Sequence, residues 1–357
     1  MKIALLGDIA LYGKFSVMEN PNLYGFLSSI KKELETYDYV VLNLETPFVN
    51  NQKPWGHKSA FIKSAPGNIE VLKFLGVNSV CLANNHMFDY GQSSFQYTKE
   101  LLDNYGIHYF GVEERVDLVE IAGNKIAFSG YCCYSTNPQG LTKKGVNKLD
   151  YKDVEEIMIH NHNLGYNNII SIHAGQEHVN YPNYDHIQFA RKLSSVCPYI
   201  YYGHHPHVLQ GIETVNNSLI AYSLGNFCFD DVYTSKSVSP LVKMSDNNRS
   251  SAVLSLEYED NTLIGYEIIP LFDSVVCEYD HKNKISTDIK KYSEKLKEEK
   301  NEYVQYRQQL LNAYVEGRKN NRNIKWYLKR MNYNSIRLII NSYKNQKKYN
   351  NSIIKYL

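Results

Sequence analysis

The sequence predicts an α/β protein with two stacked β-sheets covered by helices, followed by a helical C-terminal extension. Short apolar strands alternate with amphipathic helices over much of the first 280 residues. Three pairs of apolar runs are joined by Gly-Asn, Asn-Asn or Asp-Asn, which are turn signals typical of hairpins. The last part of the chain changes composition, and its apolar residues recur at helical spacing.

The predicted strands are nearly all apolar, which is typical of a buried sheet with helices on both faces. In chain order these strands are KIALLG, YVVLN, SVCLA, IHYFG, NIISIH and YIYYG. The helices that alternate with them are YGFLSSIKKELET, NIEVLKFLG, SSFQYTKELLDNYG, DVEEIMIHNHN and DHIQFARKLSSV. The hairpins are LVEIAGNKIAFSG, HVLQGIETVNNSLIAYSLG and AVLSLEYEDNTLIGYEIIP. We expect the hairpins to build a second, more antiparallel sheet.

Charge divides the chain into two predicted domains. Residues 281–357 carry 19 Lys and Arg against 6 Asp and Glu, whereas the rest of the chain has a net charge of −11. We therefore predict an α/β domain over 1–275 and a basic extension of two or three helices over 276–357. The residues that indicate helix or packing area there are Ile324, Trp326, Tyr327, Leu328, Met331 and Tyr333.

The basic extension has two interpretations. A helical region of this charge attracts anionic partners such as polyglutamate, nucleic acid or phospholipid headgroups. Alternatively, it is an appendage that packs on the α/β domain or on another subunit and turns a solvated basic face outward. If the extension packs on another subunit, the protein is a homo-oligomer through the C-terminal helices. No nucleic-acid-binding motif is present, so we expect no nucleic-acid partner.

Cysteine usage and hydropathy predict a cytoplasmic protein. The six cysteines are scattered without a CxxC pair, which favours a reducing compartment over a disulfide framework or a zinc ribbon. The apolar run in MKIALLGDIALYG is too short for a signal peptide or a membrane span. No later apolar stretch reaches spanning length, so no transmembrane segment is expected.

Polar residues follow five of the predicted strands. They are Asp8, Glu45, Asn84, Asn85, His86, Asp89, His173, Glu177, His204, His205 and His207. Loops beyond the carboxyl ends of the strands line one crevice in an open α/β sheet, so these groups are expected at one rim. Taken singly, each has an ordinary explanation, such as helix capping by Asp8. Five coincident strand ends instead favour a metal site.

The donor types at this rim indicate which ions it would take. Carboxylate, amide and imidazole groups suit Mn, Fe(II), Zn or Mg, and the absence of a strand-end cysteine argues against a thiolate site. Two ions bridged by a carboxylate would use all of these groups.

Six ordered motifs resemble those of the CapA/PgsA poly-γ-glutamate capsule biosynthesis family, a branch of the calcineurin-like metallophosphoesterases. The motifs are GDIAL, NLETP, LANNHMFDYG, IHAGQEH, GHHPHVLQGIE and YSLGNFCFD. The resemblance extends from Lys2 to about Pro270 and does not include the basic extension. It implies the four-layer αββα metallophosphatase fold and a site for divalent ions, two in number.

The resemblance also implies roles for individual residues. The implied metal ligands are Asp8, Glu45, Asn85, His173, His204 and His207. His86 matches the histidine that protonates the leaving group. His205 is left to face the substrate or to support a ligand, and we place it with the catalytic group. Asp8 is followed by Ile9 and Ala10, so the usual DxH motif is absent and one ion lacks an imidazole.

Three carboxylate or amide residues have supporting roles in this scheme. Glu177 and Asp89 are candidates for orienting imidazoles, and we place Glu177 with the catalytic group. Helix capping explains Asp89 equally well. Asn226 lies in a family motif, but it is also an ordinary turn residue.

Three functions are compatible with this site, because a fold does not fix a chemistry. The first is a metal-dependent phosphoester hydrolase in envelope or capsule polymer metabolism. The second is an amide or peptide hydrolase or an epimerase that uses the same ions. The third is a non-catalytic component that binds an anionic polymer or a synthase subunit. The expected substrate is accordingly anionic or peptide-like.

Overall fold

The computed structural model describes residues 1–58, 60–233, 239–277, 279–319 and 333–357. The strands in these ranges are β1 (Lys2–Ile9), β2 (Tyr39–Leu44), β3 (Ser79–Cys81), β4 (His108–Phe110), β5 (Asp117–Ile121), β6 (Asn124–Cys132), β7 (Asn167–His173), β8 (Tyr199–His204), β9 (Ile212–Val215), β10 (Ser218–Ala221), β11 (Asn226–Cys228), β12 (Ser250–Glu259), β13 (Thr262–Phe272) and β14 (Val275–Val276).

The helices in the same ranges are α1 (Leu23–Phe26), α2 (Ser28–Leu34), α3 (Ile69–Phe74), α4 (Gly91–Asn104), α5 (Tyr151–Asn163), α6 (Tyr184–Leu193), α7 (Asp246–Arg249), α8 (Tyr279–Lys295), α9 (Lys300–Lys319) and α10 (Tyr333–Ser352). The helix predicted over YGFLSSIKKELET is therefore two short helices, α1 and α2. Leu27 separates them with a backbone ψ of 3°, and Gly25 lowers the helix propensity of the first.

Strand β1 lies at the centre of the first sheet. The order of this sheet is β14-β13-β12-β1-β2-β3-β4, and β11 also pairs with β1. Strands β1 to β4 run parallel, whereas β12 and β13 add to the other side as an antiparallel hairpin. The repeated strand–helix pattern thus gives the parallel half of the sheet.

The second sheet has the order β5-β6-β7-β8-β10-β9. Its central pairs β6–β7, β7–β8 and β8–β10 are parallel, and hairpin partners add antiparallel strands at its two edges. The expectation that the hairpins build a second, more antiparallel sheet is therefore wrong, because the β12–β13 hairpin joins the first sheet and the second sheet is mainly parallel. A hairpin has two free edges, and here each hairpin extends a sheet that contains parallel strands.

The two sheets stack around a common core, as alternation along β8 shows. Ile200 and Tyr202 belong to the apolar cluster shared with the first sheet, whereas Tyr199 and Tyr201 belong to the cluster on the outer face. Helices α5 and α6 cover that outer face, and α1 to α4 cover the first sheet. These layers confirm the α/β sandwich predicted from the sequence.

Helices α9 and α10 pack on the outer cluster of the second sheet, whereas α8 buries Ile285 and Ile289 in a separate cluster. We call this contact the tail interface; its buried tail residues are Leu296, Tyr303, Tyr349 and Ile353. Three described helices, α8, α9 and α10, confirm the helical extension. Ile324, Trp326, Tyr327, Leu328 and Met331 lie outside the described residues, and only the backbone of Tyr333 is described. The division into domains at residue 275 stays a prediction.

Two glycines allow neighbouring backbone segments to approach each other closely beside the predicted metal ligands. A Cβ on Gly7 would lie 2.0 Å from the carbonyl oxygen of Gly225, and one on Gly203 would lie 1.9 Å from that of Tyr222. Each of these two glycines immediately precedes a predicted metal ligand. Any larger residue would push apart strands that the site needs together.

All six cysteines lie in the described residues and are free thiols, five of them buried. Within the described residues, no helix combines the length and apolar character that crossing a membrane requires.

Candidate metal centre

Three predicted ligands converge where the strands of both sheets end. Asp8 lies near the end of β1, Glu45 directly follows β2, and His207 lies in the loop after β8. One ligand atom from each lies within 4.8 Å of the others, and all three residues are buried. The two sheets thus meet at a potential ion site, as the strand-end argument predicts.

Glu45 is the least satisfied group of this cluster. It is fully buried, and neither Oε1 nor Oε2 has a hydrogen-bond partner among the described residues. Burial and the neighbouring Asp8 carboxylate raise the pKa of Glu45 well above its usual range. A buried carboxylate without partners is unfavourable unless a cation lies beside it. Carboxylate and imidazole donors suit divalent ions, so the residues present fit a metal.

Asp8 is held in place by three neighbours. Asn43 donates to Oδ1 at 2.8 Å, the His205 backbone N–H donates to Oδ2 at 3.1 Å, and His204 Nδ1 lies 2.7 Å from Oδ1. Burial alone would raise the pKa of Asp8, but His204, His207 and His173 hold it far below its ordinary value. Asp8 is therefore an ionised, oriented carboxylate.

His207 is oriented by Asn226 on β11, the strand that pairs with β1. Its Nδ1 lies 2.9 Å from Asn226 Oδ1, so Nδ1–H donates and Nε2 remains available as an electron-pair donor. Nε2 lies 4.0 Å from Glu45 Oε2. This contact gives Asn226 a role beyond that of a turn residue.

The loops that carry the histidines are strained. His178, His205 and His207 have φ values of 63°, 93° and 57°, in the region that favours glycine. Such conformations cost about 1–3 kcal/mol each and cluster at functional sites. The conformations that orient these imidazoles therefore lower the stability of the fold.

A second group of predicted ligands lies beside the first. His173 Nε2 is 2.9 Å from Asn85 Oδ1, and His173 Nδ1 is 3.8 Å from Glu45 Oε1. The His173 and His205 rings are 4.8 Å apart between centroids. Burial and the neighbouring His205 lower the pKa of His173 well below its usual range. Glu45 therefore lies between the two groups of donors.

His204 and His205 differ in their surroundings. His204 contacts Asp8 through Nδ1, and its ring lies 4.2 Å from that of Tyr202. His205 Nδ1 and His204 Nε2 are both buried without a hydrogen-bond partner among the described residues. Burial lowers the pKa of His205 to about 3.

His86 belongs to a separate network on the same rim. Its Nδ1 lies 2.7 Å from Asp89 Oδ2 and 3.0 Å from Lys58 Nζ, and Lys58 also donates to Asp89 Oδ1 at 2.7 Å. Burial and Lys58 lower the pKa of His86. Burial would raise the pKa of Asp89, but Lys58 and His86 lower it. Asp89 thus orients His86, and it makes no capping bond to α4.

Glu177 is half-buried among histidines. Burial would raise its pKa, but the nearby His205, His207 and His178 lower it to about 2. The carboxylate is therefore ionised beside His205.

The backbone of His207 is held by Asn248, which donates to the His207 carbonyl oxygen at 2.9 Å.

Sequence reasoning did not identify Lys58 or Asn43 as site residues. Asn43 had a signal, because it is a polar residue inside the apolar run of β2. Lys58 lies in a polar loop without periodicity and had none. Asn84, predicted at the rim, supports the backbone there by donating to the Leu44 carbonyl oxygen at 2.8 Å.

The family model described as "Bacterial capsule synthesis protein PGA_cap" matches residues 2–231. The chain is 29% identical to the PGA biosynthesis protein CapA of Bacillus subtilis over 284 residues, which are 76% of this chain and 71% of that protein. It is 27% identical to the capsule biosynthesis protein CapA of Bacillus anthracis over 285 residues, which are 72% of this chain and 66% of that protein.

Among solved structures, a hypothetical protein from Thermus thermophilus aligns with 76% of this chain and 99% of its own. The TM-score is 0.46 and the identity is 11%. A likeness of this order has no bearing on function.

Proposed function

The chain belongs to the bacterial capsule synthesis family PGA_cap, and on that premise we propose that it is a metal-dependent hydrolase of the phosphoesterase type. Its substrate would be an anionic polymer of the cell envelope or capsule, poly-γ-glutamate or a related one, or a precursor of it. The observation that carries the proposal is Glu45, whose buried oxygens lack partners beside Asp8 and His207.

The residues divide into two donor groups that share Glu45. Asp8 and His207 would hold one divalent ion with Glu45, and Asn85 and His173 would hold a second. Mn, Zn, Fe or Mg are the ions that this donor set suits.

The contacts favour roles for His204 and His205 that differ from those implied by the resemblance. His204 is bound to Asp8, and we propose that it orients this carboxylate. His205 lies against His173, and we propose that it completes the second group of donors.

The residues of the chain contribute to hydrolysis in three ways. When bound, a divalent ion supplies Lewis acidity and makes water a stronger acid. His86, held by Asp89 and Lys58, donates a proton to the departing oxygen when it is protonated. Glu177 stays ionised and places a negative charge near His205. Asn226 fixes the ring orientation of His207 so that Nε2 faces the site.

The test is ion content and turnover measured on the same preparations. Protein purified without chelators should contain a divalent transition ion, and Glu45→Gln or His207→Ala should lose it. His86→Ala should keep the ion and lose about 10²–10⁴-fold in phosphoester turnover, the usual effect of removing a general acid. His160→Ala, an exposed histidine on α5, is the matched control and should change neither quantity.

Ion loss in His86→Ala would make this residue a ligand and overturn its role. His205→Ala should lower the ion content more than His204→Ala does, and the reverse order would restore His204 as the ligand. Wild-type protein that holds its ion but cleaves no phosphoester with Mn, Zn, Mg or Fe would refute the phosphoesterase proposal. An amide hydrolase, an epimerase or a polymer-binding component would then be favoured.

A further inference from the structure

Helix α10 presents an apolar stripe to solvent. Its members Ile336, Ile339, Ile340 and Tyr343 follow one another at spacings of three, one and three residues, which places them on one face. They are 52%, 71%, 47% and 78% exposed. Isolated exposed apolar residues are ordinary, but a contiguous group of this kind marks a contact surface.

The opposite face of the helix already has its partner. Tyr349 and Ser352 are buried at the tail interface, and Asn345 donates to Asn137 Oδ1 at 3.4 Å. The stripe is therefore not the side by which α10 packs on the described part of the chain.

Basic residues accompany the stripe. Arg337, Lys344, Lys347 and Lys348 all lie on α10 and are exposed. The chain from residue 317 to residue 357 contains 11 Lys and Arg and no Asp or Glu. A helix with an apolar face and a basic polar face is typical of segments that lie on a membrane surface.

The combination of features selects among possible occupants. A second copy would bring two strongly basic tails together, which is electrostatically unfavourable. A soluble polyanion would pair with the lysines but leave four apolar side chains in water. An anionic phospholipid surface meets both demands, since acyl chains accept the apolar residues and headgroups accept the basic ones.

We propose that α10 is a peripheral contact for an anionic membrane surface. Ile336, Ile339, Ile340 and Tyr343 enter the boundary between headgroups and acyl chains, while Lys344 and Lys347 lie among the headgroups. The helix lies along the surface and does not cross it. This inference is independent of the hydrolase proposal.

The test is co-sedimentation of the full-length protein with vesicles. Vesicles of equal parts phosphatidylglycerol and phosphatidylcholine should bind the protein at least about tenfold more tightly than phosphatidylcholine alone, because anionic headgroups attract each nearby lysine. Added salt should weaken binding, since the screening length is about 10 Å at 0.1 M. Ile339→Ser combined with Tyr343→Ser should weaken it by about tenfold or more. Lys344→Gln with Lys347→Gln should weaken it by about fivefold per lysine.

The matched control is Ile264→Ser with Tyr266→Ser, the same residue types exposed on β13, and it should bind like wild type. All these positions are exposed, so the melting temperatures should stay close to that of the wild type. No binding of wild type to anionic vesicles at low salt would overturn the proposal. So would a lipid-free dimer that the α10 variant converts to monomer, or binding of soluble polyglutamate that requires Tyr343.

Discussion

At the metal centre the buried oxygens of Glu45 have no hydrogen-bond partner among the described residues, whereas at the tail interface the buried hydroxyls are paired. Tyr303 donates to the Pro182 carbonyl oxygen at 2.8 Å, and Tyr349 donates to Asp185 Oδ2. Arg307 donates to the Tyr181 carbonyl oxygen at 2.9 Å. The metal centre thus contains buried oxygens without hydrogen-bond partners, whereas the buried hydroxyls of the tail interface have partners.

This difference separates two uses of a buried polar group. Each unsatisfied buried group costs about 1–3 kcal/mol, so the metal centre is destabilising until a cation binds. The tail interface stabilises the fold through apolar packing and hydrogen-bonded hydroxyls. His186 is the exception there, because its Nε2 is buried without a partner among the described residues.

The largest effect should come from the buried Lys58–Asp89 ion pair at the rim of the metal centre. Lys58→Met would leave Asp89 buried without its cation, and breaking such a pair typically costs about 3–5 kcal/mol. Denaturant unfolding measures the loss, and adding Asp89→Asn should recover part of it. Lys53→Met, an exposed lysine of the same segment, is the control. A loss below about 0.5 kcal/mol, the range of surface substitutions, would mean that the pair is not formed.

Glu45→Gln should change the free energy of unfolding in the opposite direction and stabilise the protein. Burial and Asp8 disfavour the charged carboxylate, so neutralising it should stabilise the metal-free protein by about 1–3 kcal/mol. Added ion should then raise the melting temperature of wild type but not of the variant. Glu257→Gln, exposed on β12, should have little effect. A destabilised metal-free Glu45→Gln protein would show that Glu45 serves structure.

A smaller loss is expected from Tyr303→Phe at the tail interface. The variant keeps the buried ring but removes the hydrogen bond to Pro182, which is worth about 1 kcal/mol. Ion content should not change, because the Tyr303 hydroxyl bonds to Pro182 and not to a proposed ligand. Tyr266→Phe on the exposed face of β13 should be neutral. Equal stabilities of Tyr303→Phe and wild type would remove the contrast between the two regions.

The smallest effect concerns pH. Burial and Arg307 lower the pKa of His186, so the folded protein binds its proton less readily than the unfolded chain does. Stability from this group is therefore full above the unfolded value of about 6.5 and falls as the pH drops through the folded pKa. His186→Phe should show a smaller decrease in melting temperature between pH 7 and pH 5. An unchanged pH dependence would assign the acid sensitivity to the metal-centre histidines alone.

The sequence was most informative about the rim of the sheets. Strand ends are visible as apolar runs that stop at polar residues, and parallel strands must end at a common edge, so Asp8, Glu45 and His207 could be grouped. The two sheets and the helical tail were predicted for the same reason, from apolar periodicity.

Other features leave no local trace in a sequence. Lys58 reaches Asp89 from a loop whose course depends on tertiary packing, and no pattern marks it. The sheet that each hairpin joins depends on which strand edge remains unpaired. The roles of the adjacent His204 and His205 depend on the backbone turn after β8, where His205 has a φ of 93°, and the sequence does not show this turn.

The central position of β1 has a consequence for synthesis. The amino group of Met1 donates to the carbonyl oxygen of Tyr258 at 2.8 Å, and β1 pairs with β11 and β12, which are made more than two hundred residues later. At about 5–20 residues per second, the first strand waits on the order of tens of seconds for its neighbours. During that time β2 can cover one edge of β1, but the edge that β12 later covers stays open, and an open apolar strand edge is prone to aggregate. Asp8 and His207 are about two hundred residues apart in the chain, so the proposed ion site can be completed only after β1 to β8 have been synthesised.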